Sequence, residues 1–173
     1  MGRDKALLPF GGRPSLAQFQ YDRLAPHFRS CHLGVDTADK IGFHADCIVD
    51  EPFSIRAPSV GFVSAFRALD AERIFVLSVD TPFVDTDIIR TLVLNDTSSL
   101  DAVVARSPSG PHPLCGIYHR SLLRAFERSL AAGSHRMGAL LAAHRTHFVS
   151  FDNDEPFFNL NRPDEYARAL ERY

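Results

Sequence analysis

The run IFVLSVDTP at residues 74–82 narrows the choice of fold more than any other stretch of the chain. Five apolar residues and one serine, rich in β-branched and aromatic side chains, read as a strand covered on both faces. Such strands belong to parallel sheets sandwiched between helices, so this one is expected to be central and parallel. Pro82 ends it. Asp80 and Thr81 then stand at its carboxyl end, where sheets of this kind bind their ligands.

The rest of the chain alternates in the same sense. Pro14 and Ser15 introduce Leu16, Phe19, Leu24 and Phe28, the spacing of an amphipathic helix that ends near Pro26. Short strands are expected at CHLGV (31–35) and DCIVD (46–50). A helix should follow from Gly61 to Leu69, with Phe62, Ala65, Phe66 and Leu69 on one face. After the central strand come a helix over 86–94, strands DAVVAR (101–106) and PLCGIYH (113–119), and helices over 120–132 and 135–144, broken at Gly133. THFVSF (146–151) is the last strand, and Pro163 opens a final helix with Asp164 and Glu165 in its first turn. Ser107–Pro113 is the expected mobile loop. Strands alternating with helices imply one α/β domain, residues 1–173, with a mainly parallel sheet flanked by helices.

Composition excludes several functions. A net charge of −2 lacks the basic surplus of a general nucleic-acid or anionic-membrane binder, so neither partner is expected. Cys31, Cys47 and Cys115 are odd in number and far apart, which speaks against a disulfide framework or structural zinc and for a reducing compartment. No apolar stretch approaches the length of a bilayer span. No signal peptide pattern is present, and the cytoplasm is the expected location.

Candidate site residues emerge one by one. Asp80 offers a carboxylate to Mg²⁺, which takes oxygen ligands and bridges carboxylates to substrate phosphates; equally, it could cap the helix that follows, as Asp85 or Asp87 could. Lys5 is ambiguous in isolation, since a lone lysine near a terminus is usually solvated. Asp50 ends a short strand and is either a ligand contact or a turn residue. Asn159 and Asn161, spaced i, i+2 in FFNLNRPDEY, would share a face of an extended segment and serve one ligand, or one of them caps the last helix. His135 and Arg136 form an anion site or an exposed helix end. Neither a G-x-G-x-x-G nor a G-x-x-x-x-G-K-[ST] phosphate grip is present.

The order of these pieces carries more than any one of them. MGRDKALLPFGGRPSL, IVDEP, VGFVSAF, VLSVDTPFVDTDIIRTL, HPLCGIYHRSLL and FFNLNRPDEY, in that succession, resemble the MobA-type molybdenum cofactor guanylyltransferases over nearly the whole chain. The resemblance implies a Rossmann-like nucleotidyltransferase domain that moves GMP from GTP to molybdenum-bearing molybdopterin and releases pyrophosphate. It further implies that Lys5 contacts the nucleotide phosphates and that Asp80 binds Mg²⁺, these two being the catalytic pair. Asp36, Asp50 and Gly61 join them in nucleotide binding, and Arg136, Asn159 and Asn161 match the molybdopterin side. In that family a strand and a glycine-rich loop precede M-G-x-D-K. The chain is therefore expected to be an N-terminally incomplete domain, missing that strand and phosphate loop. Cofactor-handover proteins or client molybdoenzymes are the expected macromolecular partners. Two other readings are a cytidylyltransferase or another cofactor or sugar nucleotidyltransferase of the same fold, and a non-catalytic nucleotide-binding domain without its phosphate loop.

Overall fold

The structure, a computed structural model, describes residues 4–53, 57–134 and 136–172. Met1, Gly2 and Arg3 of the opening motif and His135 lie outside the described residues. Among the described residues six strands and six α-helices follow one another much as the alternation of apolar runs implies. They are β1 (Leu33–Val35), β2 (Cys47–Val49), β3 (Arg73–Leu77), β4 (Ala102–Ser107), β5 (Gly110–His119) and β6 (Thr146–Ser150), with α1 (Leu16–Leu24), α2 (Pro58–Ala68), α3 (Thr86–Leu94), α4 (Leu123–Ala131), α5 (Met137–Ala142) and α6 (Pro163–Leu170).

β1 and β2 pair in parallel as a separate two-stranded sheet, while the other four strands lie in the order β3-β5-β4-β6. β4 and β6 are parallel, and β5 runs antiparallel to both of its neighbours, so β3, β4 and β6 all point one way. The mainly parallel sheet is thus present, with β5 as its one reversed member. The central, parallel placement expected for residues 74–79 is not. Among the described residues β3 is an edge strand whose partner is antiparallel β5. The reason is local. β4 and β5 are joined by a two-residue hairpin turn, and β5 folds back beside β4 into the place next to β3. The expected mobile loop at 107–113 is that turn. Gly110 adopts φ +124°, and Asp154 accepts from Ser109 N at 2.9 Å and from the Ser107 hydroxyl.

Period-two alternation splits the core cleanly. Ala102, Val104 and Tyr118 face α2, α4 and α5, where Phe62 stacks on Phe126 at 4.7 Å. Val103, Ala105, Cys115 and Ile117 face α3 and the end of α1. Ile74 and Val76 join the first layer and Phe75 and Leu77 the second, so β3 is covered on both faces and, among the described residues, open along one edge. Cys31, Cys47 and Cys115 are all free thiols. No helix among the described residues is long and apolar enough to cross a membrane.

Candidate active site

The strand-end aspartate is held by a loop that α1 organises. Ser15 caps α1, its hydroxyl accepting from Gln18 N at 3.1 Å, and Leu16, Gln20 and Leu24 fall on its buried face. Gln20 is a polar residue at a core position, and it has carbonyls to satisfy there. Its Nε2 donates towards Ser78 O at 3.4 Å, Val79 O at 3.3 Å and Thr81 O at 3.2 Å. Arg23 adds a bond to Val84 O. From the sheet side, Ser78 N donates to Leu114 O at 2.8 Å. Fixed from both sides, the turn presents Asp80, whose Oδ1 accepts from the Ser78 hydroxyl at 2.6 Å. Helix capping is not its task. Asp85 caps α3, accepting from Asp87 N at 3.0 Å and Ile88 N at 2.9 Å.

The two ends of the chain meet at this aspartate. Leu160 N donates to Asp80 O at 2.9 Å. The next residue, Asn161, accepts from Lys5 Nζ at 3.0 Å across 156 positions of sequence. Phe10 packs edge-on to Phe19 at 5.0 Å and lies 6.2 Å from Tyr166, whose hydroxyl bonds Pro9 O. These contacts clamp the N-terminal segment between α1 and α6. Asn161 N donates to Asn159 O at 2.9 Å, so the paired asparagines sit in a tight three-residue turn rather than on the extended segment expected. Neither caps α6, whose N-cap position is Arg162, with Glu165 accepting from Arg162 N at 2.7 Å.

A second group gathers around the ends of β1 and β2. Asp36 follows β1 and Asp50 follows β2, and Asp50 N donates to Val35 O at 2.8 Å. Burial, then the nearby Asp36 charge, raises the Asp50 carboxyl above its ordinary range, with Lys40 opposing. Gly61, in the first turns of α2, faces the same carboxylate: a Cβ there would lie 3.6 Å from Asp50 Oδ1. Lys40 ties this group to the first. Its Nζ lies 2.9 Å from Asp36 and 2.7 Å from Asp4, and Asp4 caps the 3-10 turn Lys5–Leu7 by accepting from Ala6 N at 3.0 Å.

Of the residues singled out from sequence, Lys5, Asp80, Asn159 and Asn161 are drawn together by these bonds, as are Asp36, Asp50 and Gly61. Arg136 stands apart. It lines a cavity of about 300 Å³ with Arg128, Ser129, Ser134 and His144, between α4 and α5. No contact among the described residues joins it to the others. Beside Asn159 a different cavity of about 540 Å³ opens, lined by Phe83, Asp154, Glu155, Phe158, Arg168 and Arg172. Lys40, Ser78 and Gln20 belong to the site but escape the sequence patterns. Gln20 alone leaves a signal, as a polar residue between Leu16 and Leu24 on an apolar face.

The arrangement suits a nucleoside triphosphate. It has one carboxylate at a strand end for a divalent ion, one ammonium nearby, and acidic groups set apart on a neighbouring sheet. Comparison with known proteins agrees. Residues 1–148 match the family described as the MobA-like NTP transferase domain. The molybdenum cofactor guanylyltransferase of Campylobacter jejuni subsp. doylei is 31% identical over 97% of this chain and 87% of its own length. Among solved structures, the molybdopterin-guanine dinucleotide biosynthesis protein A of Archaeoglobus fulgidus superposes with a TM-score of 0.84 at 23% identity, covering 99% of this chain and 91% of that one. The 2-C-methyl-D-erythritol 4-phosphate cytidylyltransferase of Thermus thermophilus shares the fold at TM-score 0.74 and 14% identity, over 97% and 93% of the two chains.

Proposed function

The chain belongs to the MobA-like NTP transferase family, and from that premise we propose that it transfers GMP from GTP to molybdopterin carrying molybdenum. One observation carries the assignment of roles: Lys5, Asn161 and Asp80, from the two ends and the middle of the sequence, are joined at one strand terminus by the Lys5–Asn161 and Leu160–Asp80 bonds.

The reaction asks little covalent chemistry of the protein. A phosphate oxygen of molybdopterin attacks the α-phosphorus of GTP; the new O–P bond forms as the bond to the β-phosphate oxygen breaks, and pyrophosphate leaves. The attacking oxygen is already anionic, so no general base is required. Placement and charge neutralisation remain. Asp80 is the residue that would hold Mg²⁺. It fits, because Ser78 engages one carboxylate oxygen and Asp80's second oxygen has no hydrogen-bond partner among the described residues. One carboxylate with water and phosphate oxygens is a usual Mg²⁺ environment. When bound, the ion supplies Lewis-acid stabilisation of the charge that builds on the phosphates. The Lys5 ammonium adds a second positive charge on the leaving side, positioned by Asn161. Asp50 accepts from the guanine edge while Asp36 lies beside it and Gly61 leaves room for the base. Asn159 and Asn161 face the acceptor, with Arg136 assigned to its phosphate. Three free thiols suit a cytoplasmic setting, with cofactor-handover proteins as partners.

We read the chain as one nucleotidyltransferase domain. Titration calorimetry of GTP, CTP and ATP with Mg²⁺ tests the assignment. GTP-selective binding, lost about 100-fold or more in Asp80→Asn, is the expected result. CTP preference would move the assignment to a cytidylyltransferase.

A further inference from the structure

A carboxylate alone recognises only part of guanine. Along one edge the base offers O6 as an acceptor and then N1–H and N2–H₂ as donors. Asp50 can accept from the two donors, but O6 then needs a donor of its own. Adenine carries an amine where guanine carries O6. A cation set beside Asp50 would therefore welcome one purine and oppose the other.

Lys40 is placed to be that cation. An ammonium has three hydrogens. Contacts at 2.7 Å to Asp4 and 2.9 Å to Asp36 take two of them and, among the described residues, leave the third. The side chain is 24% exposed, held rather than free, and both partners hold its pKa above the ordinary lysine value. Asp50 is close by, its N–H bonding Val35 O one residue before Asp36, and the lysine's charge opposes the rise of the Asp50 carboxyl. Position 61 on α2 carries no side chain, and a Cβ there would lie 3.6 Å from Asp50 Oδ1. A simple cross-link between two loops would need one acid. Here one ammonium bridges two carboxylates, Asp4 and Asp36, with Asp50 on the adjoining strand end, and a base with an exposed acceptor completes the set.

We propose that Lys40 is a specificity-determining residue, donating its third ammonium hydrogen to guanine O6 while Asp50 accepts from N1–H and N2–H₂. This rests on the guanylyltransferase reading and on Asp50 as the base contact. Nucleoside monophosphates test it without engaging the full triphosphate site. GMP and IMP share O6, AMP lacks it, and only GMP carries the 2-amino group. Their affinities are to be measured on the full chain and on Lys40→Met, Lys40→Arg and Asp4→Asn, with melting followed in parallel.

Wild type should prefer GMP and IMP to AMP. In Lys40→Met that preference should fall at least tenfold while the GMP-to-IMP ratio, which belongs to Asp50, holds within about threefold. Lys40→Arg should keep part of the preference, and Asp4→Asn, which retains the ammonium, nearly all of it. Should Asp4→Asn lose as much as Lys40→Met, the lysine is a cross-link and the proposal is overturned. It is equally overturned if Lys40→Met keeps wild-type selectivity. A wild type without purine preference would instead remove the guanine reading on which the proposal stands. If Lys40→Met does not fold, the Lys40→Arg and Asp4→Asn pair still decides.

Discussion

Asp101 shows what a single side chain can do for this fold. It is 7% exposed and sits at the start of β4. Its Oδ2 accepts from Arg145 N at 3.1 Å and Nε at 3.0 Å, and its Oδ1 from Arg145 Nη2 at 2.8 Å and the Ser121 hydroxyl at 2.7 Å. One carboxylate thereby joins the beginnings of β4, β6 and α4. The Arg145 hydrogen bonds hold its carboxyl well below the usual range, against the opposing pull of burial. Because the folded value lies below the unfolded one, the ionised form stabilises the fold fully above pH of about 4, and that stabilisation fades as the pH falls towards the folded value. Asp101→Asn should cost about 2 kcal/mol at neutral pH, with the gap to wild type narrowing in acid. Thermal melts between pH 3 and 7 would reveal it, and a gap independent of pH would show that the charge is not responsible. At this scale the sequence is uneven to read. Asp80 and Lys5 are legible because a strand end and the M-G-x-D-K pattern frame them. Lys40 sits in TADKIGF, a loop without periodicity, and only the fold places Asp4 and Asp36 on either side of it.

Between β4 and β5 lies the irregularity that supports the turn carrying Asp80. Val104 pairs with Gly116, but the next residue, Ala105, pairs with His112, so Pro113, Leu114 and Cys115 bulge out of the ladder. The bulge turns Leu114 O towards Ser78 N and Pro113 O towards the Tyr118 hydroxyl. Gly116 makes this possible by close approach: a Cβ there would stand 2.6 Å from Val103 O and 3.2 Å from Val104 Cα, both backbone atoms that cannot yield. Gly116→Ala should therefore destabilise the protein by about 1–3 kcal/mol, and it should weaken Mg²⁺–GTP binding by more than its stability loss explains. A variant that melts normally would remove the bulge from the account of the site. Element existence was readable here, since apolar runs and helical spacing named each strand and helix nearly in place. Strand partnership was not. HPLCGIYH has the composition of any buried strand, and nothing in it announces that it runs backwards between β3 and β4.

At the level of the whole molecule, the two groups of candidate residues rest on different sheets. Asp36 and Asp50 extend from the β1–β2 pair, and Asp80 extends from the four-stranded sheet. α2 packs on both β strands of the small sheet and on α4, while the Lys40–Asp4 bridge closes the same gap from the other side. The alternation of the sequence foretold the layers but not this division, because a break between sheets leaves no residue pattern of its own. The division sets how the protein breathes. β4 has a partner on each side, and Ala102, Val103, Val104 and Ala105 are fully buried, so its amides should exchange with deuterium only through global unfolding. Those of β1 and β2 should open at lower free energy. Saturation with Mg²⁺–GTP at about 100 times its dissociation constant adds about 2.7 kcal/mol, and the β1–β2 amides should gain the most protection. Equal protection of both sheets in the free protein would contradict this. On this view the small sheet should behave as a hinged leaf, with a bound nucleotide as its clasp.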